Sequence, residues 1–218
     1  MLQGWHEIAF FHWSADPVLV QRHLPTGLTA DIINGQAWIS LTPFLLTGLR
    51  PPLWPRRLGL TFPEMNLRTY VRGPSGPGIW FFSLDAARLY AVLGARATFG
   101  LPYFWAKMAI GTDPTENFYF SKRSRAQARI RIAKEAHISE QSELDIFLTA
   151  RFRLYSRYAR RLMTAQVQHP PWQLNRIRVI EFEENVRRTM DVEFPSSDFL
   201  GHWSAGVETR IGFPRPTW

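Results

Sequence analysis

Along the chain, apolar and polar positions alternate more often than they recur at helical spacing. The cleanest case is "RAQARIRIAKE", where Ala126, Ala128, Ile130 and Ile132 share one face and Arg125, Gln127, Arg129 and Arg131 share the other. That period of two predicts a half-buried strand. "GWHEIAFFHWS", "RFRLYSRY", "RLMTAQVQH", "LNRIRVIEFE" and "HWSAGVETRIGF" read as further strands. "LTADIINGQAWISLTPFLL" reads as a hairpin around Asn34-Gly35, a favoured two-residue turn. "PEMNLRTYVRGPSGPGIWFFSLDA" reads as a second hairpin, with a longer turn drawn from Gly73, Pro74, Gly76 and Gly78. Its return strand, "IWFFSL", is apolar on both faces, as in a strand covered on both sides.

Helical signals are fewer. "ADPVLVQRHLPTG" predicts a short helix with Asp16 as N-cap and Pro17 at the first helical position. "ARLYAVLGARATF" has helical spacing through Leu89, Val92 and Leu93, and another short helix is expected to start at Pro102. "SELDIFLTARF" predicts a helical turn capped by Ser142. The pattern predicts a strand-rich α+β chain with two or three helices, in which hairpin-connected strands form a barrel or strongly curved sheet. With 218 residues and no low-complexity linker, residues 1–218 read as a single domain.

The tetrapeptide "HWSA" occurs at His12–Ala15 and again at His202–Ala205. The flanks do not match, so the repeat reads as coincidence.

Composition adds a pocket to this picture. Nine Trp and sixteen Phe exceed what a minimal core needs, and such a surplus favours a lined cavity or an interface. Cysteine is absent, which excludes disulfides, thiolate metal sites and thiol catalysis. The six histidines form no HxH or HExxH spacing, so no metal site is expected, and His12 and His202 beside Trp read as packed strand residues. No GxSxG, GxGxxG or phosphate-loop motif is present, and no cofactor is implied. Apolar runs are too short to span a bilayer and no secretory signal is visible, so a soluble cytoplasmic protein without a membrane partner is the default expectation.

The formal net charge of +8 raises nucleic acid as a partner. The charges are scattered, and the basic face around Arg125, Arg129 and Arg131 lacks interleaved aromatics, which disfavours that partner.

The candidate chemistry sits in "PEMNLRTYVR". Glu64, Asn66, Arg68 and Tyr70 share one face, and Met65, Leu67, Thr69 and Val71 the other. The polar row faces either water or a barrel lumen, and spacing leaves both open. The only other singular feature is "FGLPYFWAKM", which places Lys107, one of three lysines among 26 basic residues, at the end of an apolar segment.

"FFHWSADPVLVQRHLPTGL", "GQAWISLTPFLL", "FPEMNLRTYVRG", "PGIWFFSLDA", "ARATFGLPYFWAKM", "LTARFRLY", "HPPWQL" and "GHWSAGVE" together resemble the YqjF-like family of uncharacterised bacterial proteins over nearly the whole chain. That family is similar in turn to the acetoacetate-decarboxylase-like superfamily. The resemblance implies a curved β-barrel with helices alongside and an apolar pocket. It also implies a pocket glutamate, for which Glu64 is the match. The superfamily's G-R-E-x-x-G-x-P-K-K motif finds Arg96, Gly100 and Pro102 here, but Ala97 replaces the Glu and Tyr103 and Phe104 replace the two lysines. Neither can form an imine, so Schiff-base decarboxylation is disfavoured. Lys107 lies three residues beyond and reads as an ordinary lysine.

These readings converge on a barrel binding a small apolar or organic-acid-like molecule. Glu64 and Tyr103 are the candidate catalytic groups, and Asn66, Arg68, Tyr70, Arg96 and Phe104 the candidate ligand contacts. The alternatives are a non-imine lyase or hydrolase using Glu64 as acid/base, and a nucleic-acid-binding or regulatory protein. An oligomer is compatible with all three.

Overall fold

The computed structural model describes residues 1–189 and 198–217. The strands are β1 (Leu2–Ala15), β2 (Thr29–Ala30), β3 (Ala37–Arg50), β4 (Leu60–Gly73), β5 (Gly76–Ala86), β6 (Tyr103–Trp105) and β7 (Lys107–Thr112). They continue as β8 (Glu116–Arg123), β9 (Ala126–His137), β10 (Arg153–Tyr158), β11 (Arg161–Gln168), β12 (Asn175–Glu184), β13 (Leu200–Ile211) and β14 (Arg215–Pro216). Three α-helices join them: α1 (Pro17–Arg22), α2 (Leu89–Phe99) and α3 (Glu143–Thr149). The expected strand-rich α+β class is the one observed.

Strand pairing runs β11-β10-β5-β4-β3-β1-β13, and β11 pairs β13 again through Val167–Ile211 and Gln168–Arg210. The pairing therefore returns on itself, as the barrel expectation requires. From β13 the sheet continues outward through β12, β9, β8 and β7.

The alternation of each strand now separates two cores. Phe11, Trp13, Ile39, Leu41, Met65 and Leu67 pack outward against Ile130, Ile132 and Tyr119 of the β8–β9 extension. Ile8, Phe10, Phe44, Leu46 and Phe62 point inward and meet Trp172 and Leu174. This double burial explains why β3 carries large apolar side chains on both faces.

Two irregularities change the phase. Glu7 has φ of +50° at a bulge in β1, so Gln3 and Trp5 line the interior before it, and Ile8 and Phe10 pack inward after it. In β5, Leu67 faces Ser83 while Arg68 faces Phe81, and the extra residue Phe82 lets Ile79, Phe81 and Leu84 all reach the interior.

Several local expectations need correction. The segment after Pro102 is strand β6, paired in parallel with Leu84–Ala86, not a helix. Gly100 ends α2 in the left-handed region (φ +62°) and the chain leaves extended. The β4–β5 turn is tight, with Gly73 opposite Gly76, and Gly78 lies inside β5 opposite Val71. The Asn34-Gly35 turn forms, with both residues at positive φ and a bridge between Ile33 and Gln36. Its leading arm β2 pairs β4, however, because β3 already spends both edges on β1 and β4. On α2, Val92 is buried while Leu89 and Leu93 are exposed. The sequence reading passed over β7 and β8, although "ENFYFSKR" alternates and its residues Asn117, Tyr119 and Ser121 are buried.

Candidate functional site

The inward row of β4 lines the interior of the barrel. Glu64, Asn66 and Arg68 border a small cavity of about 60 Å³, with Thr42 from β3 and Trp5 from β1. At extended-strand spacing, the row from Glu64 to Arg68 spans roughly 13 Å. A second cavity of about 410 Å³ is lined almost wholly by apolar groups, among them Leu46, Leu60, Phe62, Ala91, Leu154 and Phe213. The two share Gln3, Leu101, Tyr103, Leu154 and Ile211 as a common wall. The smaller holds about four water-sized groups, and the larger falls in the range of small-molecule sites.

Tyr103 stands in that wall and donates its hydroxyl to Glu64 Oε2 at 3.0 Å. Burial pushes the Glu64 carboxyl up to about 8, and hydrogen bonds from Tyr103 and Asn66 only partly offset this. Burial, together with the adjoining carboxyl, also holds the Tyr103 phenol well above its usual range. At neutral pH the pair is therefore chiefly an uncharged acid beside an uncharged phenol.

Arg68 is 7% exposed. Among the described residues it pairs with no carboxylate; one guanidinium nitrogen donates to Leu148 O at 3.4 Å and Nε has no partner. Its guanidinium lies 5.6 Å from the Phe10 ring and 5.9 Å from the Tyr70 ring. Asn66 Oδ1 and Trp5 Nε1 are likewise buried without partners. The lining thus holds unmet donors and an unmet acceptor, an arrangement rarely left unsatisfied in native proteins.

Helix α3 forms the floor. Its capping box, in which Ser142 Oγ accepts from Asp145 N and Asp145 Oδ2 accepts from Ser142 N, fixes the start of the helix. At its other end the orphan carbonyls are all taken: Phe147 O by Arg151, Leu148 O by Tyr70 and Thr149 O by Trp172. Arg151 is itself held by Asp31 at 2.7 Å. His12 Nδ1 meets Ser40 Oγ at 2.6 Å, Ser40 meets Tyr70 Oη at 2.7 Å, and His202 Nε2 meets Asp145 Oδ1 at 2.9 Å. The "HWSA" repeats thus lie on the paired strands β1 and β13, with the two histidine rings 5.6 Å apart. Burial keeps both below the ordinary histidine range, for His202 against the opposing pull of Asp145.

The structure brings together Glu64, Asn66, Arg68 and Tyr103. Tyr70 lies beyond Arg68 in the floor and lines neither cavity. Arg96 is exposed and donates from Nε to the Tyr103 carbonyl at 2.6 Å, outside both cavities. Phe104 projects to the opposite side of β6 from Tyr103, with Arg123 stacked 4.0 Å over its ring. Lys107 is exposed on β7, opposite Lys122, and none of the three lysines lines either cavity.

Sequence reasoning missed Gln3, Thr42, Thr149, Arg151, His169 and Trp172 as lining residues. Thr149 and Arg151 in "LTARFRLY" and His169 and Trp172 in "HPPWQL" are remote in sequence from β4, and no local spacing links them, or Gln3 of β1 and Thr42 of β3, to the row. His169 lies 5.1 Å from the Trp172 ring, and burial together with the charge of Arg68 lowers its pKa.

Comparison with solved structures places this architecture beside acetoacetate decarboxylase from Legionella pneumophila (TM-score 0.68, 12% identity, 100% of this chain and 88% of that one). An acetoacetate decarboxylase-like enzyme from Sphingomonas wittichii is similar (TM-score 0.67, 13% identity, 100% and 94%). So is the enduracididine biosynthesis enzyme MppR complexed with pyruvate (TM-score 0.69, 11% identity, 100% and 90%). At these identities the likeness is one of fold. In sequence, "Uncharacterized protein YqjF" of Bacillus subtilis is 40% identical over 210 residues, covering 94% of this chain and 87% of that protein. The DUF2071 family model, described as an uncharacterised conserved protein, matches residues 2–208. With a barrel of the acetoacetate-decarboxylase-like fold and this match across its length, the chain belongs to the DUF2071 family and is similar to YqjF.

Proposed function

We propose that the protein binds a small organic acid with an apolar body inside the barrel, its carboxylate on Arg68, without forming an imine. The observation that carries this reading is Arg68 itself. A buried guanidinium with no carboxylate partner is costly to maintain. Its unpaired Nε, beside a cavity of carboxylate size, supplies the place where an anion would recover that cost. Asn66 and the protonated Glu64 offer further hydrogen bonds along the same row, and the adjoining apolar cavity accommodates the rest of the molecule. One structural neighbour, MppR, was solved with pyruvate, a small carboxylate. With no lysine in either lining, no side chain there can form an imine.

Titration of the protein with monocarboxylates of increasing apolar size, followed by calorimetry, tests this. Acids should bind while their methyl esters do not. Arg68→Met should weaken acid binding roughly tenfold to a hundredfold, the range for a hydrogen bond to a charged group. Equal binding of esters, or undiminished binding by Arg68→Met, overturns the proposal.

A second reading follows from the Glu64 carboxyl titrating at about 8, near the working pH of a general acid/base. In it, Glu64 and Tyr103 exchange a proton with the bound acid. Glu64→Gln should then preserve binding and abolish exchange of the ligand's α-protons with deuterated solvent. Exchange that persists in this variant removes the second reading.

A further inference from the structure

The connection between β3 and β4 stands out from the mouth of the larger cavity. Its tip buries nothing: Leu53 is 96% exposed, Trp54 55% and Leu58 55%, with Arg56 and Arg57 between them. The neck is tight. Gly48 adopts φ of +61°, and a Cβ on Gly59 would lie 2.6 Å from the Gly48 Cα. Such a close backbone approach admits only glycine and fixes the direction of the loop. Across the opening stand Tyr90, 65% exposed, and Phe213, 72% exposed; both line the same cavity as Trp54 and Leu58. The apolar rim and the cavity therefore form one continuous feature.

The charge around this rim is positive. Arg210 lies near Met1, which lines the cavity. Arg57 is exposed at the tip and Arg88 at the start of α2. The acid present here, Glu208, is occupied by Arg56 at 3.2 Å and His6 at 3.7 Å. Among the described residues, Arg57, Arg88 and Arg210 have no carboxylate partner. A second copy docking symmetrically on this face would set this cationic rim against itself, which disfavours a dimer here.

We propose that this rim docks on an anionic lipid surface, with Leu53, Trp54 and Leu58 entering the interface and the arginines meeting the headgroups. Protruding Leu and Trp beside Arg match the chemistry of that boundary, where an apolar side chain leaves water and a cation meets anionic lipid. Docked this way, the larger cavity opens onto the bilayer and gives a route by which a lipophilic molecule enters without crossing water. No helix among the described residues is long and apolar enough to span a membrane, and surface docking requires none. The proposal stands whether or not Arg68 binds a carboxylate.

Co-sedimentation of the full-length protein with phosphatidylcholine vesicles, with and without phosphatidylglycerol, tests it. Binding is expected only with phosphatidylglycerol and should fall as salt rises. Leu53→Asp combined with Trp54→Ala should abolish it, whereas Arg57→Ser should weaken it about fivefold. Arg129→Ser, on the exposed face of β9, should leave it unchanged. Absence of binding to anionic vesicles, or equal binding by the Leu53/Trp54 variant with an unaltered circular dichroism spectrum, overturns the proposal. So does a dimer seen by light scattering that the same variant dissolves.

Discussion

At the residue scale, the site is a problem of unpaired polarity. Glu64 is more protonated in the folded chain than in the unfolded one, because its folded pKa of about 8 lies above the usual carboxylate value. Its stabilising contribution is complete below pH 4.5 and is lost as pH rises through 8. The buried histidines act in the opposite sense, since a lowered folded pKa costs stability only once pH falls below their ordinary value of 6.5. Between pH 6.5 and 8 the slope therefore separates Glu64 from them. Stability should fall by up to about 2 kcal/mol across that interval in the wild type and stay flatter in Glu64→Gln, as read from urea midpoints at each pH. Arg68→Met should lose acid binding without losing stability. A buried cation held by one long hydrogen bond is readily replaced by an apolar side chain of similar length. A melting temperature lowered by Arg68→Met would instead make Arg68 a structural residue.

At the element scale, Gly100 and the turn around it decide where Tyr103 stands. Gly100 closes α2 in the left-handed region, and a Cβ there would lie 2.5 Å from the Arg157 carbonyl oxygen. Gly100→Ala should cost about 1–3 kcal/mol in chemical denaturation, the range for strain of this kind, and should displace Tyr103 from Glu64. The sequence marks this glycine as part of the "FGLP" motif, but the helix expected beyond Pro102 is a strand because Leu84–Ala86 offer a free parallel edge. That edge is a tertiary partner, absent from any local pattern. Caps were legible for the opposite reason. The Asp16 and Ser142 side chains bond within three residues, so their signals are complete in the sequence.

At the scale of the whole molecule, the barrel separates a ligand-facing interior from an outer core under the β8–β9 extension. Ile130, fully buried in that outer core, should tolerate truncation without changing the site. Ile130→Ala should lower stability by about 2–5 kcal/mol in urea denaturation while acid affinity remains as in the wild type. The net charge of +8 is also distributed by this layout. On the exposed face of β9, Arg129 and Arg131 stand opposite Glu183 and Glu181 of β12, which offsets the charge of that basic face. Arg57, Arg88 and Arg210, near the cavity mouth, are among the cations that no carboxylate pairs among the described residues.

The sequence by itself determined the strand-rich class, the places of the three helices with the caps of α1 and α3, and the division of β4 into an apolar face and a polar row. Each follows from contacts within one or two turns or from a period of two. Only the tertiary structure decided that the polar row faces a cavity, because Glu64 and Arg68 could equally have faced water until β11 met β13 and the sheet closed. Closure likewise gathered Trp5, Arg151, His169 and Trp172 around that row, and it placed Tyr70, Arg96 and Phe104 outside the cavity lining. The bulges at Glu7 and Phe82 change which side chains face inward. Each depends on a partner strand far away in the chain, which no reading along the chain can supply.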